Sequence, residues 1–371
     1  MRGEHGQRFR AQDRPRPGRD GVRRRLPAIR IHRMVRIAAD ELPGAVEAVV
    51  RKRLPGAENA RVANWSASTA GFSTETYLFD VEGLDACDTL GLVFRRPPEY
   101  QILPGYDLRR QYLVMQRLAP SPVPVPGVRW IDADGSDLGT PYLVMDRIDH
   151  VVGVSDVPPY HQHGLFAETD DAGRAALWNG CVDMIAAVHR LDPQQYRLGF
   201  LGASTPGALV DFLRHAIGWA YGDNPVHPTF TRALHWLRAH LYEPEHVGLC
   251  WGDSRMSNVL YRPDLTPVAA LDWEIAYLGD QAADLSWLFM TDWISSPLPG
   301  NAPAPGTPSR EQTIARYERA VGRSVGNLAF GDVSAPLLLA VALVRLNRRF
   351  DIPGVDLADV CARRIEFVLD S

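Results

Sequence analysis

Apolar positions along this chain change their spacing about halfway. An amphipathic helix is predicted at about Asp40 to Leu54, followed by short β-prone runs at Ala60–Trp65, Glu75–Val81 and Leu90–Arg95. The small, polar segment 66–74 between the first two has the character of a hairpin connection. Leu108 to Leu118 puts Tyr112, Met115 and Leu118 on one helical face, and Pro120 stops it. Pro122, Pro124 and Pro126 form an extended link to two further strands, Val128–Asp132 and Tyr142–Asp146. Beyond them the pattern is helical. Ala172 to Leu191 repeats Trp178, Cys181, Val182, Ile185 and Val188 at helix spacing. Leu209–Tyr221, Thr229–Leu241, Ser309–Val321, Ala335–Phe350 and Leu357–Leu369 are further candidate helices, interrupted by a β-like stretch, Gly248–Asp272. Five strands followed by helices predict an α+β architecture in two lobes, which a chain of 371 residues is long enough to fill.

Charge separates off the first 36 residues. They hold twelve Arg and three acids, a net of +9, while the rest of the chain carries −13. With no Trp or Tyr and with Pro15, Pro17, Gly18, Gly21 and Pro27, residues 1–36 read as a disordered leader. Met34 as the true initiator and a basic arm for nucleic acid are the other readings. Arg23-Arg24-Arg25 has no apolar run behind it, so an export signal is not expected. The acidic remainder offers no patch for nucleic acid, and nucleic-acid binding is not expected. The longest apolar run, Leu337–Val344, reads as a buried helix, so no membrane span is expected. Four widely spaced cysteines show neither a disulfide framework nor metal-ligand spacing, and a cytoplasmic location is expected.

Of the 40 basic residues, 39 are Arg and one is Lys52, which has no Gly-rich loop ahead of it. A P-loop is therefore excluded. The densest chemical signal is Trp251-Gly252-Asp253, then Asn258, then Asp272-Trp273-Glu274, each part flanked by apolar strand-like residues. Singly, such residues are ordinary turn and cap residues. Together, in this order and spacing, they suit Mg2+-dependent phosphoryl transfer, with one Asp for the acceptor hydroxyl and Asn and Asp as hard oxygen ligands.

This region resembles the aminoglycoside phosphotransferase (APH) and choline kinase superfamily, whose signature is His-Gly-Asp, four residues, Asn, a hairpin, and Asp-x-Asp/Glu. Ala276-Tyr277-Leu278-Gly279-Asp280 through Leu285 is similar to the family's Gly-Asp-Pro-x-x-Asp-Leu segment. The subgroup it looks most like is related to the kinase-like domain of acyl-CoA-dehydrogenase-associated proteins. The resemblance implies a protein-kinase-like bilobal fold, with a small antiparallel-sheet N-lobe at 37–146 that binds nucleotide. The larger, mainly helical C-lobe at 147–371 would carry catalysis and the acceptor.

It further implies Asp253 as catalytic base, Asn258 and Asp272 as Mg2+ ligands, and Glu274 as either a second-metal ligand or a loop-shaping residue. Arg255 fits a cation on the transferring phosphate, or a solvated loop Arg. Gly71, Phe72, Ser73 and Thr74 resemble the nucleotide loop; by themselves they indicate only a hairpin. Arg95 stands in the place of the strand-three Lys, with Gln111 in the place of its Glu partner and able to accept a hydrogen bond from it. Glu75, Glu99 and Asp107 are alternative partners. Met145 and Arg147 lie in the stretch that resembles the adenine hinge. Trp251 replaces the family's His, a position a packed Trp can organise. His150, His161 and His163 read as part of a mobile loop, and His189 as a capping or packing residue.

The expected activity is transfer of the γ-phosphate of ATP or GTP to a hydroxyl of a small molecule, with Mg2+. Trp251 and Gln111 leave a catalytically silent, kinase-like nucleotide-binding protein as the alternative.

Overall fold

The computed structural model describes residues 36–68, 73–85, 89–351 and 353–371. The first helix, α1 (Leu42–Arg53), buries Leu42, Val46, Val49 and Val50, the stripe of an amphipathic helix. It lies on a sheet built from β1 (Arg61–Ala67), β2 (Glu75–Glu82) and β3 (Thr89–Arg96), then α2 (Leu108–Leu118), β4 (Val128–Asp132) and β5 (Tyr142–Asp146). The strand order is β1-β2-β3-β5-β4, with every pair antiparallel.

Strand alternation decides what each face does. Phe79, Val81, Leu92, Phe94, Tyr142 and Val144 pack with α1. Leu78, Val93, Leu143 and Met145 pack on the opposite side, with α2 and the helical half. Arg95, two residues after Val93, is thereby turned toward the helical half. Arg36 belongs to the folded part: it bonds Glu75 and the Pro97 carbonyl.

The second half runs β6 (Val152–Gly153), α3 (Leu165–Glu168), α4 (Asp171–His189), α5 (Pro206–Tyr221), α6 (Pro228–Ala239), β7 (Val247–Cys250), β8 (Val259–Tyr261), β9 (Pro267–Ala270) and β10 (Tyr277–Asp280). It ends with α7 (Ala282–Ser295), α8 (Arg310–Val321), α9 (Leu328–Phe350) and α10 (Asp359–Leu369). β10 pairs with β7, and β6-β8-β9 form a second small sheet. These short pairs hold two connections against each other: 251–258 between β7 and β8, and 271–276 between β9 and β10.

Helix α4 packs in the core that reaches the sheet, through Leu177, Trp178, Cys181, Val182, Ile185 and Val188. Helices α5, α6, α7, α9 and α10 share a separate apolar cluster. α9 starts seven residues before its expected position and carries Pro336 inside. By length and composition it could cross a membrane, yet it packs against α5, α6, α7 and α10, and 56% of its most apolar window is buried. α7 was not expected from the sequence. It is apolar nearly all round and buries Asp284 through Asp292 without a break, so no polar stripe marks its period.

Candidate active site

Gly252 and Asp272 turn the two connections inward. Gly252 has φ +88°, and a Cβ there would stand 2.5 Å from the Ile275 carbonyl oxygen. Asp272 also adopts positive φ, +57°. The first connection is clamped by Asp284 of α7. Its Oδ2 accepts from the Trp251 N–H at 2.7 Å and its Oδ1 from the Gly252 N–H at 2.9 Å. His189 Nε2 lies 2.9 Å from Asp284 Oδ2, and Nδ1 lies 2.7 Å from the Tyr317 hydroxyl. His189 is thus a buried brace, in keeping with its expected packing role. Trp251 is fully buried. Its indole N–H donates to the Leu271 carbonyl at 2.7 Å and its ring stacks on Trp273, which ties the two connections together.

Asp253 stands at the centre. Trp287 Nε1 donates to its Oδ1 and Asn258 Nδ2 to its Oδ2, each at 2.7 Å. Burial pushes the Asp253 carboxyl above its ordinary range; the nearby Asp272 charge adds to this and Arg255 opposes it. Arg255 Nε lies 2.9 Å from Asp253 Oδ1, an ion pair that helps hold the guanidinium charged against burial, but its N–H is off the hydrogen-bond axis to that oxygen and has no other acceptor among the described residues. Arg255 Nη1 pairs with Asp156.

Facing this group from the sheet is Arg95. Its Nε and Nη2 donate to Thr74 Oγ1 at 3.0 and 2.6 Å. Nη1 and Nη2 reach the two oxygens of Asp272 at 3.2 and 3.3 Å. Burial works against its charge, but Asp272 and Glu274 outweigh burial and hold it more firmly protonated. Burial, with Asp272 alongside, pushes the Glu274 carboxyl up to about 8; Ser73 lies within hydrogen-bonding reach of it. Among the described residues, Glu274 Oε2 is buried without a partner.

The structure therefore brings together Ser73, Thr74, Arg95, Asp253, Arg255, Asn258, Asp272 and Glu274. Gly71 and Phe72 lie outside the described residues. Gln111 is fully buried, but both its amide atoms lack partners, and Arg95 is not bonded to it. A charged acceptor, Asp272, outcompetes a neutral amide for the guanidinium. The alternative partners are engaged elsewhere: Glu75 by Arg36 and Arg96, Glu99 by Arg36, and Asp107 as the α2 cap. Met145 is buried in the core beneath the sheet. The Arg147 guanidinium is taken by Asp80 and Asp149, so its side chain is committed away from the cleft. His161 is not part of a mobile loop: its Nε2 lies 2.8 Å from Asp292 Oδ1 and its side chain is 1% exposed.

Sequence reasoning assigned no definite place at the site to three contributors: Trp287, by default a core Trp, Asp156, an acid it could not place in the pocket, and Asp284. Asp284 lay within a segment noticed for its resemblance, without a role. Among the described residues no group of three or more His, Cys, Asp or Glu side chains is placed to hold a metal.

A sheet-bearing half, a helical half and, where they meet, Arg95 of the sheet facing Asp253 and Asp272 are features of a kinase-like phosphotransferase. The profile of APH, the phosphotransferase enzyme family, matches residues 65–320, and the chain belongs to that family. Acyl-CoA dehydrogenase family member 10 of Mus musculus is 27% identical over 213 residues, covering 56% of this chain and 19% of that protein. The match thus spans about a fifth of that relative's length.

Solved structures share the fold. A protein of Ralstonia eutropha provisionally assigned as an aminoglycoside phosphotransferase superposes with TM-score 0.64 at 20% identity, covering 88% of this chain and 97% of that one. A thermostable mutant of aminoglycoside phosphotransferase APH(4)-Ia, in ternary complex with AMP-PNP and hygromycin B, does so with TM-score 0.57 at 16% identity, covering 88% and 98%. The α+β, kinase-like fold expected from the motifs is the one observed.

Proposed function

We propose that the protein is a Mg2+-dependent small-molecule kinase that moves the γ-phosphate of ATP or GTP to an acceptor hydroxyl. The observation that carries this is Asp253, fixed by Trp287 and Asn258 opposite an Arg95–Asp272 pair. Asp253 takes the proton of the acceptor hydroxyl. The acceptor oxygen forms its bond to the γ-phosphorus as the bond to the bridging oxygen breaks, and the nucleoside diphosphate leaves with that electron pair. Arg95 and the Thr74 hydroxyl bind phosphate oxygens, and the indole of Trp287 orients the base.

The donor set fits the ion. Asn258 gives its N–H2 group to Asp253, leaving Oδ1 for a cation. Asp272 is a carboxylate already held by one cation, and a second cation would relieve the buried Oε2 of Glu274, unpartnered among the described residues. Mg2+ needs few protein acids, because phosphate and water complete its shell. Asn258, Asp272 and Glu274 would hold it, and its charge would neutralise the triphosphate. A nucleotide donor is supported by the AMP-PNP complex of the similar APH(4)-Ia enzyme.

The test is calorimetric binding of Mg-ATP and Mg-GTP, followed by turnover on a panel of alcohols and aminoglycosides. Asp253→Asn should keep nucleotide binding and lose transfer by roughly 10²–10⁴-fold. No binding of either nucleotide at millimolar concentration refutes the proposal. Binding without turnover, unchanged by Asp253→Asn, identifies the silent alternative instead.

A further inference from the structure

One segment outside the residues assigned above reaches the base. Asp156 lies between β6 and α3, and its Oδ1 pairs with Arg255 Nη1 across 99 residues of chain. The segment is fastened to α7: the Tyr160 hydroxyl donates to Asp292 Oδ1 at 2.7 Å, and His161 Nε2 lies 2.8 Å from the same oxygen. Tyr160 also packs edge-on against Phe166, with ring centroids 5.0 Å apart. Asp156 is thus held from behind, and its carboxylate grips one end of a guanidinium whose other end sits beside Asp253. That other end, Nε–H, is buried and, lying off the axis to Asp253, makes no accepted hydrogen bond among the described residues.

The two observations fit one purpose. A guanidinium prefers to close a two-point fork on a single carboxylate. Left to Asp253 alone, Arg255 would turn its fork onto the base and compete there with Trp287 and Asn258. Asp156 pulls on Nη1 from the far side, so Arg255 stays near Asp253 without closing on it, and its Nε–H makes no accepted hydrogen bond among the described residues.

We infer that Asp156 is a positioning residue for phosphoryl transfer. By holding Nη1 it keeps the Nε–H of Arg255 beside the base but off its hydrogen-bond axis, where an oxygen of the phosphoryl group in flight can accept from it. This rests on the kinase reading of the site. The bonds made and broken are those already given; Asp156 takes no proton and forms no bond to phosphorus.

The test uses the full chain, Mg-ADP or Mg-GDP, and aluminium fluoride as the mimic of the transferring phosphoryl group, with affinities read by calorimetry. In the wild type, aluminium fluoride should tighten diphosphate binding. Asp156→Asn should leave diphosphate affinity unchanged and cut that enhancement by about tenfold or more, as a misplaced transition-state donor would. Asp156→Glu keeps the carboxylate and should recover part of it, which separates a lost charge from a disturbed segment. In an Arg255→Ala background, Asp156→Asn should have no further effect.

Equal enhancement in wild type and Asp156→Asn overturns the inference. So does an Asp156→Asn effect that persists in the Arg255→Ala background, or a wild type that binds diphosphate without any enhancement. A wild type that binds neither diphosphate refutes the kinase reading itself, a distinct result that removes the inference with it.

Discussion

Asp284→Asn is the sharpest structural test of how the 251–258 connection is held. The substitution is isosteric, and Asp284 is 1% exposed, so nothing else in its surroundings needs to move. Both carboxylate oxygens are in use: Oδ2 by the Trp251 N–H and His189 Nε2, Oδ1 by the Gly252 N–H. An amide has one acceptor oxygen. Placed at Oδ2, it leaves the Gly252 N–H facing an NH2 group; placed at Oδ1, it leaves two donors facing one.

The milder arrangement still orphans one buried donor, at about 1–3 kcal/mol, and turns two charge-assisted bonds into neutral ones, at about 0.5–1.5 kcal/mol each. The total is about 2–6 kcal/mol, against a whole-protein stability of about 5–15 kcal/mol. Urea unfolding should show a lower midpoint at an unchanged slope. Transfer should fall by about 10²-fold, because Asp253 follows Gly252 directly in the chain. A destabilisation below about 1 kcal/mol, the size of an ordinary surface substitution, would refute the reasoning.

Two further outcomes follow from the ion pairs. Arg95→Ala should weaken Mg-nucleotide binding by about tenfold or more, the loss of one charged hydrogen bond to phosphate; unchanged calorimetric affinity would show that β3 does not supply the phosphate cation. Asp137 accepts from Lys52, Arg53 and the Tyr142 hydroxyl; burial opposes its charge, but these donors hold its carboxyl below the ordinary range. Its folded value is therefore the lower one, so its contribution to stability is whole above the unfolded value of about 4 and is lost as pH falls through the folded value. Asp137→Asn should flatten the acid side of the midpoint-versus-pH curve, and a curve as steep as wild type would contradict that account.

The elements that were legible in the sequence carry their own punctuation. α2, β4 and β5 fall where expected because Asp107 caps the helix, Pro120 follows its end, and proline-rich or Gly-containing links bound the strands. Asp253, Asn258 and Asp272 were legible because they lie close together in the chain, around one hairpin, in the order of the motif they resemble. What was not legible lies far away in the chain. Trp287 reaches Asp253 from 34 residues downstream and Asp156 reaches Arg255 from 99 residues upstream, with no local pattern to announce either. Gln111 shows the converse error. Its position along the chain matched a partner for Arg95, but in three dimensions the carboxylate of Asp272 takes that guanidinium.

The lone lysine bears on how the site responds to pH. Lys52 sits on α1 and pairs with Asp137, among residues that pack on the face of the sheet away from Arg95. The described cations beside Asp253 and Asp272 are therefore guanidiniums, Arg95 and Arg255, which do not lose their protons in proteins. Asp253 is different: burial raises its carboxyl, and it must be ionised to take the acceptor proton. On the proposed mechanism the transfer rate should rise with pH as Asp253 and its buried neighbour Glu274 ionise and then stay level, because neither cation discharges at the alkaline end. The measurement is kcat across pH with saturating nucleotide and an acceptor that does not itself ionise. An alkaline limb in that profile that persists in stability-matched controls would mean that a group other than these two arginines supplies an essential proton or positive charge.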